Sequence, residues 1–300
     1  MLFPEFRLYT PSSDQLEYLI GLYYADADTD RTFFRPVITS DWAGSAGTET
    51  YAVYGQLTWK FNEQWHLTAG ARYNYEEIDV EYLEKGPGTR YAGDDDEDEV
   101  PFKVSLQYFM SDETMLFASY AKGHKGQAYD ISSGFDQSRI DNPVGSESSD
   151  SYEIGIKTSL LDNRLQLNAV GFYTEYDDYQ AQNTELRGTE LVIGVLNVGS
   201  LETKGVELDA SALVGDNLTL TLSAAYVDAT IDEFPNANCY GGQTEEQGCV
   251  EQVPGSGVFG QDLGGEDLNN SPDLKINLAG QYNLPLDSMP FDGFATFNYS

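Results

Sequence analysis

The feature that most constrains this chain is strict alternation in the stretch Ser151 to Asp178. Tyr152, Ile154, Ile156, Thr158 and Leu160 share one parity, and Glu153, Gly155, Lys157 and Ser159 share the other. After the short turn Asp162–Arg164 the pattern resumes, with Leu165, Leu167, Ala169, Gly171 and Tyr173 set against Gln166, Asn168, Val170 and Phe172. Successive side chains of a strand face opposite ways, so this is an antiparallel hairpin with one apolar and one polar face. The polar face carries Gly, Ser, Asn and Lys, which suits a wet interior better than a dry core. An apolar exterior around a polar lumen is the pattern of a transmembrane β-barrel.

The same period recurs along the chain. It predicts strands over residues 5–10, 16–25, 49–61, 65–81, 100–110, 114–122, 191–214, 218–231, 274–283 and 294–299. With the central hairpin this makes about 12. Short turns at 11–15, 62–64, 111–113, 162–164 and 215–217 alternate with longer connections at 26–48, 84–99, 123–148 and 234–270. The connection at 183–190 is short but polar and Gly-containing, and 285–292 joins the last two strands. A membrane-crossing barrel with tight periplasmic turns and long external loops has a reason for that alternation. Trp59 and Trp65 flank one short turn and read as an interfacial girdle.

Several motifs resemble TonB-dependent outer-membrane receptors. They are Tyr152-Glu153-x-Gly155-x-Lys157, then Leu160 to Leu165 (LLDNRL), Asn168-Ala169 and Phe172-Tyr173, followed by Asn197-Val198-Gly199 and Lys204 to Asp209 (KGVELD). Glu5, Arg7 and Leu8 with Gly21–Tyr24, Leu67–Tyr73 and Phe117–Gly123 are similar to other strands of that family. The resemblance implies an all-β fold: an antiparallel transmembrane β-barrel, partial here, with about 12 of a probable 22 strands. Residues 1–300 are then expected to be a barrel fragment lacking the plug domain and the final strands. The implied function is energised uptake of a scarce nutrient, a ferric siderophore or other iron complex, across the outer membrane of a Gram-negative bacterium. The implied partners are outer-membrane lipid, the iron–siderophore ligand, and the energy-coupling protein TonB acting through the N-terminal plug. The alternative is a passive porin or structural barrel of about 12 strands.

The formal net charge of −34 excludes nucleic acid, because little basic surface is available to neutralise phosphates. No cofactor or catalytic constellation is expected. Gly255-Ser256-Gly257-Val258-Phe259-Gly260 fits G-x-G-x-x-G but has no strand–turn–helix context. His66 and His124 are the two histidines, in separate hairpins, so no zinc spacing exists. A rim hydrolase would need His124 beside a nucleophile. The acidic run Asp94, Asp95, Asp96, Glu97 and Asp98 is a weak candidate for loose cation binding, against the reading of a solvated loop. Trp42, Tyr91, His124, Tyr129, Phe135, Arg139, Tyr240 and Phe259 are candidate ligand contacts from the long loops. Cys239 and Cys249 lie in one Gly-rich external loop and read as a disulfide in an oxidising compartment, with two free thiols as the alternative.

Overall fold

A computed structural model describes residues 2–11, 15–36, 40–187, 190–252, 254–255, 257–286 and 291–300, with the backbone alone over 184–193. The first strands are β1 (Glu5–Tyr9), β2 (Leu16–Arg35), β3 (Ser40–Lys60), β4 (Trp65–Glu84), β5 (Thr89–Glu99), β6 (Phe102–Ser111) and β7 (Thr114–Lys125). A short helix α1 (Gln137–Asp141) separates them from β8 (Glu147–Leu160), β9 (Leu165–Asp177), β10 (Gln180–Arg187), β11 (Glu190–Asn197), β12 (Ser200–Val214) and β13 (Leu218–Glu233). Three short strands follow, β14 (Ala237–Asn238), β15 (Val250–Glu251) and β16 (Phe259–Gln261), and then β17 (Leu274–Leu284) and β18 (Gly293–Tyr299).

One antiparallel sheet runs β1-β2-β3-β4-β6-β7-β8-β9-β12-β13-β17-β18, with β5 paired to the outer half of β4. The path of 12 strands ends at β1 and β18, which do not pair with each other, so the wall is an open arc and not a closed 12-stranded barrel. That removes the structural basis of the passive 12-strand reading.

The register lines one face with carbon. Ile20, Gly55, Ala71 and Phe102 are neighbours across β2, β3, β4 and β6, and so are Tyr18, Leu57, Ala69 and Val104. Continuing around the arc, Tyr120, Tyr152 and Tyr173 follow one another, as do Leu208 and Ala224. At the short-turn end this outward face carries Trp59 against Phe61, ring centroids 4.1 Å apart, and Trp65 against Tyr108 at 4.5 Å. At the other end it carries Tyr24, Tyr51 and Tyr75, with Tyr24 and Tyr51 5.0 Å apart, and Tyr120 stacked on Tyr152 at 5.0 Å. From Tyr51 to Phe61 the chain advances ten residues. At about 3.4 Å per residue and a tilt of about 40°, this is roughly 26 Å, the height of a barrel's apolar band between its aromatic girdles. The bore face carries Gln56, Thr68, Arg72, Lys103, Ser119 and Glu153 at the alternate positions.

Three expectations need correction. Residues 26–35 and 40–48 are strand and not loop: β2 and β3 pair without a break from Leu16↔Trp59 to Arg35↔Ser40. Residues 84–99 are likewise a tight turn at 85–88 followed by β5, whose acidic residues pair with β4 from Asn74↔Glu99 to Glu84↔Thr89. Both segments lie above the tyrosines, where the outer face meets water, so the apolar/polar alternation that reveals a strand in lipid is lost while the backbone pairing continues. Finally, 191–214 is not one strand. β11 pairs with β10 as a separate hairpin, and Gly199 (φ 124°) breaks the chain before β12. A Cβ at Gly199 would collide with the Glu233 carbonyl, so glycine is required there. The connections expected at 11–15, 183–190 and 285–292 fall partly outside the described residues. The short turns at 61–64, 112–113, 161–164 and 215–217 still lie at one end of the wall, and the long connections 126–146 and 234–273 lie at the other.

Candidate functional site

Above the tyrosine girdle the strands change sides. On β4 the outward positions become Glu77, Asp79 and Glu81, while the inward ones become Ile78, Val80 and Tyr82. Those inward side chains, with Trp42, Tyr129, Ile131 and Phe135, form the main buried cluster, and Val80 is only 1% exposed. Residues 126–146 thus fold back against the inner wall of β3–β5 and build a packed vestibule over the bore. Tyr82 stacks between Trp42 (5.3 Å) and Phe135 (4.9 Å), and Tyr91 flanks Phe135 at 6.3 Å. Two glycines let the segment approach: a Cβ at Gly44 would overlap Ile131, and one at Gly93 would overlap Ile140.

The structure brings five of the eight candidate contacts together in this vestibule. Trp42 and Tyr91 lie in strands β3 and β5, not in loops as expected. Trp42 is 3% exposed and donates its Nε1–H to Ser133 Oγ at 3.0 Å. Tyr129 and Phe135 are buried. Arg139, in α1, is also buried, and its Nη1 donates to the Asp130 carbonyl (3.0 Å), to Asp130 Oδ2 (3.3 Å) and to Ser132 Oγ (2.5 Å). Asp130 Oδ2 accepts in addition from Val195 N–H at 3.2 Å, which ties the β10–β11 hairpin to the same segment. The base of the β10–β11 hairpin is joined to the two ends of the 126–146 segment. Gln180 Nε2 donates to the carbonyls of Gly126 (2.9 Å) and Gly145 (2.8 Å), and Asn197 pairs reciprocally with the Gly145 backbone.

His124 sits lower, at the end of β7, with Nε2 3.5 Å from Glu97 Oε1. Glu97 Oε1 also accepts from Gln127 N–H at 2.8 Å, and His124 is paired across the sheet with Ser148 of β8. Glu76 faces the same hollow of about 250 Å³, together with Tyr23, Arg72, Asn74 and Glu99. Burial pushes the Glu76 carboxyl above the ordinary carboxylate range, and nearby Glu97 adds to this against the Thr50 hydroxyl that donates to it. The acidic run lies in β5. Its strand sends Asp94, Asp96 and Asp98 outward, and Asp95 and Glu97 inward. Among the described residues, no three His, Cys, Asp or Glu side chains converge to hold a metal ion.

Tyr240 and Phe259 remain well exposed, at 57% and 53%, in the outermost subdomain. There Cys239 and Cys249 are joined in a disulfide, and β16 pairs with β14 and β15. The glycine motif runs from the β15–β16 connection into β16, which is followed by irregular chain and not by a helix. Its Gly257 N–H donates to Glu251 Oε1 at 2.7 Å, and such backbone donors at Gly255 and Gly257 hold the Glu251 carboxyl below its usual range.

Sequence reasoning missed the bore wall. A cavity of about 840 Å³ there is lined by Tyr54, Arg72, Lys103, Phe117, Glu153 and Lys157 among others. The Arg72 guanidinium lies 4.6 Å from the Tyr23 ring centre and 5.8 Å from that of Tyr54. Glu153 accepts from Ser119 Oγ at 2.7 Å and pairs with Lys103 at 3.4 Å. The available signal was parity: these are the polar members of the alternating runs.

The family described as TonB dependent receptor-like, beta-barrel, matches residues 4–300. The chain belongs to this family. Its members are receptors and transporters of the Gram-negative outer membrane, and the apolar belt between two aromatic girdles is the part of this chain that crosses that membrane. Among curated relatives, the pesticin receptor of Yersinia pestis is 27% identical over 202 residues, covering 65% of this chain and 28% of that protein. The probable TonB-dependent siderophore receptor PiuA of Acinetobacter baumannii is 23% identical over 205 residues, covering 67% and 26%. The matches thus span little more than a quarter of those relatives' length. Of solved structures, the ferric yersiniabactin uptake receptor FyuA from Yersinia pestis superposes with a TM-score of 0.72 at 19% identity, covering 94% of this chain and 39% of that one. The siderophore receptor PiuA from Acinetobacter baumannii gives 0.63 at 18% identity, covering 92% and 43%. At these identities the superpositions establish the fold.

Proposed function

We propose that this chain is wall and vestibule of a receptor that takes up a ferric siderophore or another iron complex, energised by TonB. The observation that carries this reading is the family match over residues 4–300, joined to relatives named as pesticin and siderophore receptors. The geometry supports it. The bore is polar, its outer end is capped by a packed vestibule, and a disulfide-closed subdomain presents Tyr240 and Phe259 to the medium. In this reading those two rings make first contact with the ligand. Trp42, Tyr91, Tyr129, Phe135 and Arg139 fix the vestibule, and His124 with Glu97 and Glu76 faces ligand at its floor. Coupling to TonB runs through an N-terminal plug, as the resemblance implies, and residues 1–300 form one continuous piece of barrel.

The test is radiolabelled iron uptake by iron-starved cells that rely on the full-length receptor, offered a panel of ferric siderophores with and without TonB. Saturable uptake of one complex that disappears without TonB is the expected result. Uptake of every small solute, independent of TonB, would instead establish a passive pore.

A further inference from the structure

The sequence holds 50 Asp and Glu against 16 Lys and Arg, so cations gathered in one place need a reason. The bore cavity of about 840 Å³ gathers them. Its charged lining is Arg72, Lys103, Lys122 and Lys157 against Glu153. Lys103 takes that carboxylate at 3.4 Å, and Lys122 has Asp150 opposite it on β8. Arg72 and Lys157 are seated on rings instead. The Arg72 guanidinium lies over Tyr23 and Tyr54, and Lys157 Nζ lies 5.7 Å from the Phe117 ring centre. Among the described residues neither is ion-paired with a carboxylate. A ring attracts a cation without neutralising it, so both charges stay available to an anion on the open side. The seat under Arg72 is built in. Tyr54 lies over Gly21, where a Cβ would overlap its ring, and its hydroxyl donates to Glu5 Oε1 at 2.5 Å and accepts from Arg7 Nε at 3.0 Å.

These groups sit beneath the outer tyrosines on the bore side. Arg72 is three residues below Tyr75 on β4, and Lys157 is five residues below Tyr152 on β8. Arg72 also lines the hollow that holds His124 and Glu76, so the cavity continues the vestibule floor down the wall. Further round the bore the sign changes: Asp209 stands two strands beyond Lys157 in the same row. A solute on the β4–β8 side therefore meets positive charge and aromatic faces. Like charges lining a cleft with low-dielectric walls concentrate solutes of the opposite sign. The volume falls in the range of small-molecule sites, about 300–1,000 Å³. We propose that the β4–β8 wall is a cationic track that makes the cargo an anionic ferric chelate, its charge met by Arg72, Lys103 and Lys157 and its rings by Tyr54 and Phe117. This rests on the iron-uptake reading above and narrows it by charge.

The test measures radiolabelled iron uptake by iron-starved cells carrying the full-length receptor. The iron is offered as a polyanionic tris-catecholate, as a neutral tris-hydroxamate, or as a tris-hydroxamate bearing a free ammonium. The wild type is expected to take up the tris-catecholate and to exclude the ammonium-bearing complex. Lys103→Gln combined with Lys157→Gln should lower tris-catecholate uptake about tenfold. Lys103→Arg combined with Lys157→Arg should retain it. Lys157→Gln alone, with a loss of about threefold, serves if the double variant does not insert. Preference for the neutral or the ammonium-bearing complex would overturn the proposal, as would wild-type uptake by the glutamine variants. Entry of vancomycin into cells carrying those variants would show that the lysines hold the plug in place, and would overturn it equally. Uptake of none of the three complexes would refute the iron-uptake reading itself.

Discussion

The lower and upper halves of β4 obey opposite rules. Between Trp65 and Tyr75 the outward positions are apolar and the inward ones polar. From Glu76 to Glu84 the outward positions are largely acidic and the inward ones form the best-buried core of the molecule. The backbone does not notice: β4 pairs with β3 from Lys60↔His66 to Trp42↔Glu84 without a shift. What changes is the medium on each side. Below the tyrosines the strand divides lipid from a wet bore, and above them it divides water from a packed loop. The hydrophobic phase of a strand therefore reports where its dry neighbour lies, and a reversal of phase marks the membrane surface.

The largest effect should come from putting a charge on the dry side of the upper half. Val80→Asp places an unpaired carboxylate in the vestibule core, at a cost of roughly 3–5 kcal/mol to its packing. Hydrogen exchange should show residues 126–146 opening, with amides of the membrane belt still protected. On the other face the same strands should respond by height. Leu57→Arg puts a cation on the lipid side and should cost roughly 2–4 kcal/mol in folding into lipid vesicles. Glu81→Arg, also outward but above the girdle, should change it by less than about 0.5 kcal/mol.

The disulfide-closed subdomain lies beyond both halves. Cys239→Ser should loosen it by about 2–3 kcal/mol in the chain-entropy account, read as faster proteolysis within residues 234–261 with the barrel wall intact. The smallest effect concerns Glu76, where the phases meet. Its carboxyl is raised by burial, so the folded state holds the proton more tightly than the unfolded chain. Stability therefore rises as pH falls from neutral through the raised value toward about 4.5, the ordinary value, and is lost in the opposite direction. Glu76→Gln should be more stable than wild type at neutral pH, with the gap closing toward pH 4.5 in thermal melts.

The belt was legible because lipid enforces alternation at every second residue, from Leu165 to Tyr173 and from Leu218 to Tyr226. The upper strands were not. Asp26 to Asp30 and Asp94 to Glu99 have the composition of a solvated loop, since Asp disfavours strands and both sequences lack an apolar outer face. Their strand character comes from pairing with β3 and β4, which is a non-local property. The same blindness placed Trp42 and Tyr91 in loops, when their rings point into a core whose other half comes from residues 129–140. The reversal itself was present in Glu77-Ile78-Asp79-Val80-Glu81-Tyr82, a clean alternation of opposite phase to Leu67-Thr68-Ala69-Gly70-Ala71. The bore residues Arg72, Lys103 and Glu153 were likewise visible as the polar parity, but their convergence on one cavity requires the register.

The most direct test of the account is a set of single spin labels at outward positions of β4 in the reconstituted full-length receptor, at residues 69, 71, 73, 77, 79 and 81. The account predicts a switch at Tyr75: labels at 69 to 73 relaxed by oxygen dissolved in lipid, and labels at 77 to 81 relaxed by a water-soluble nickel chelate. A lipid signature continuing through residue 81, or a water signature beginning by residue 71, would show that the phase reversal is not the membrane surface.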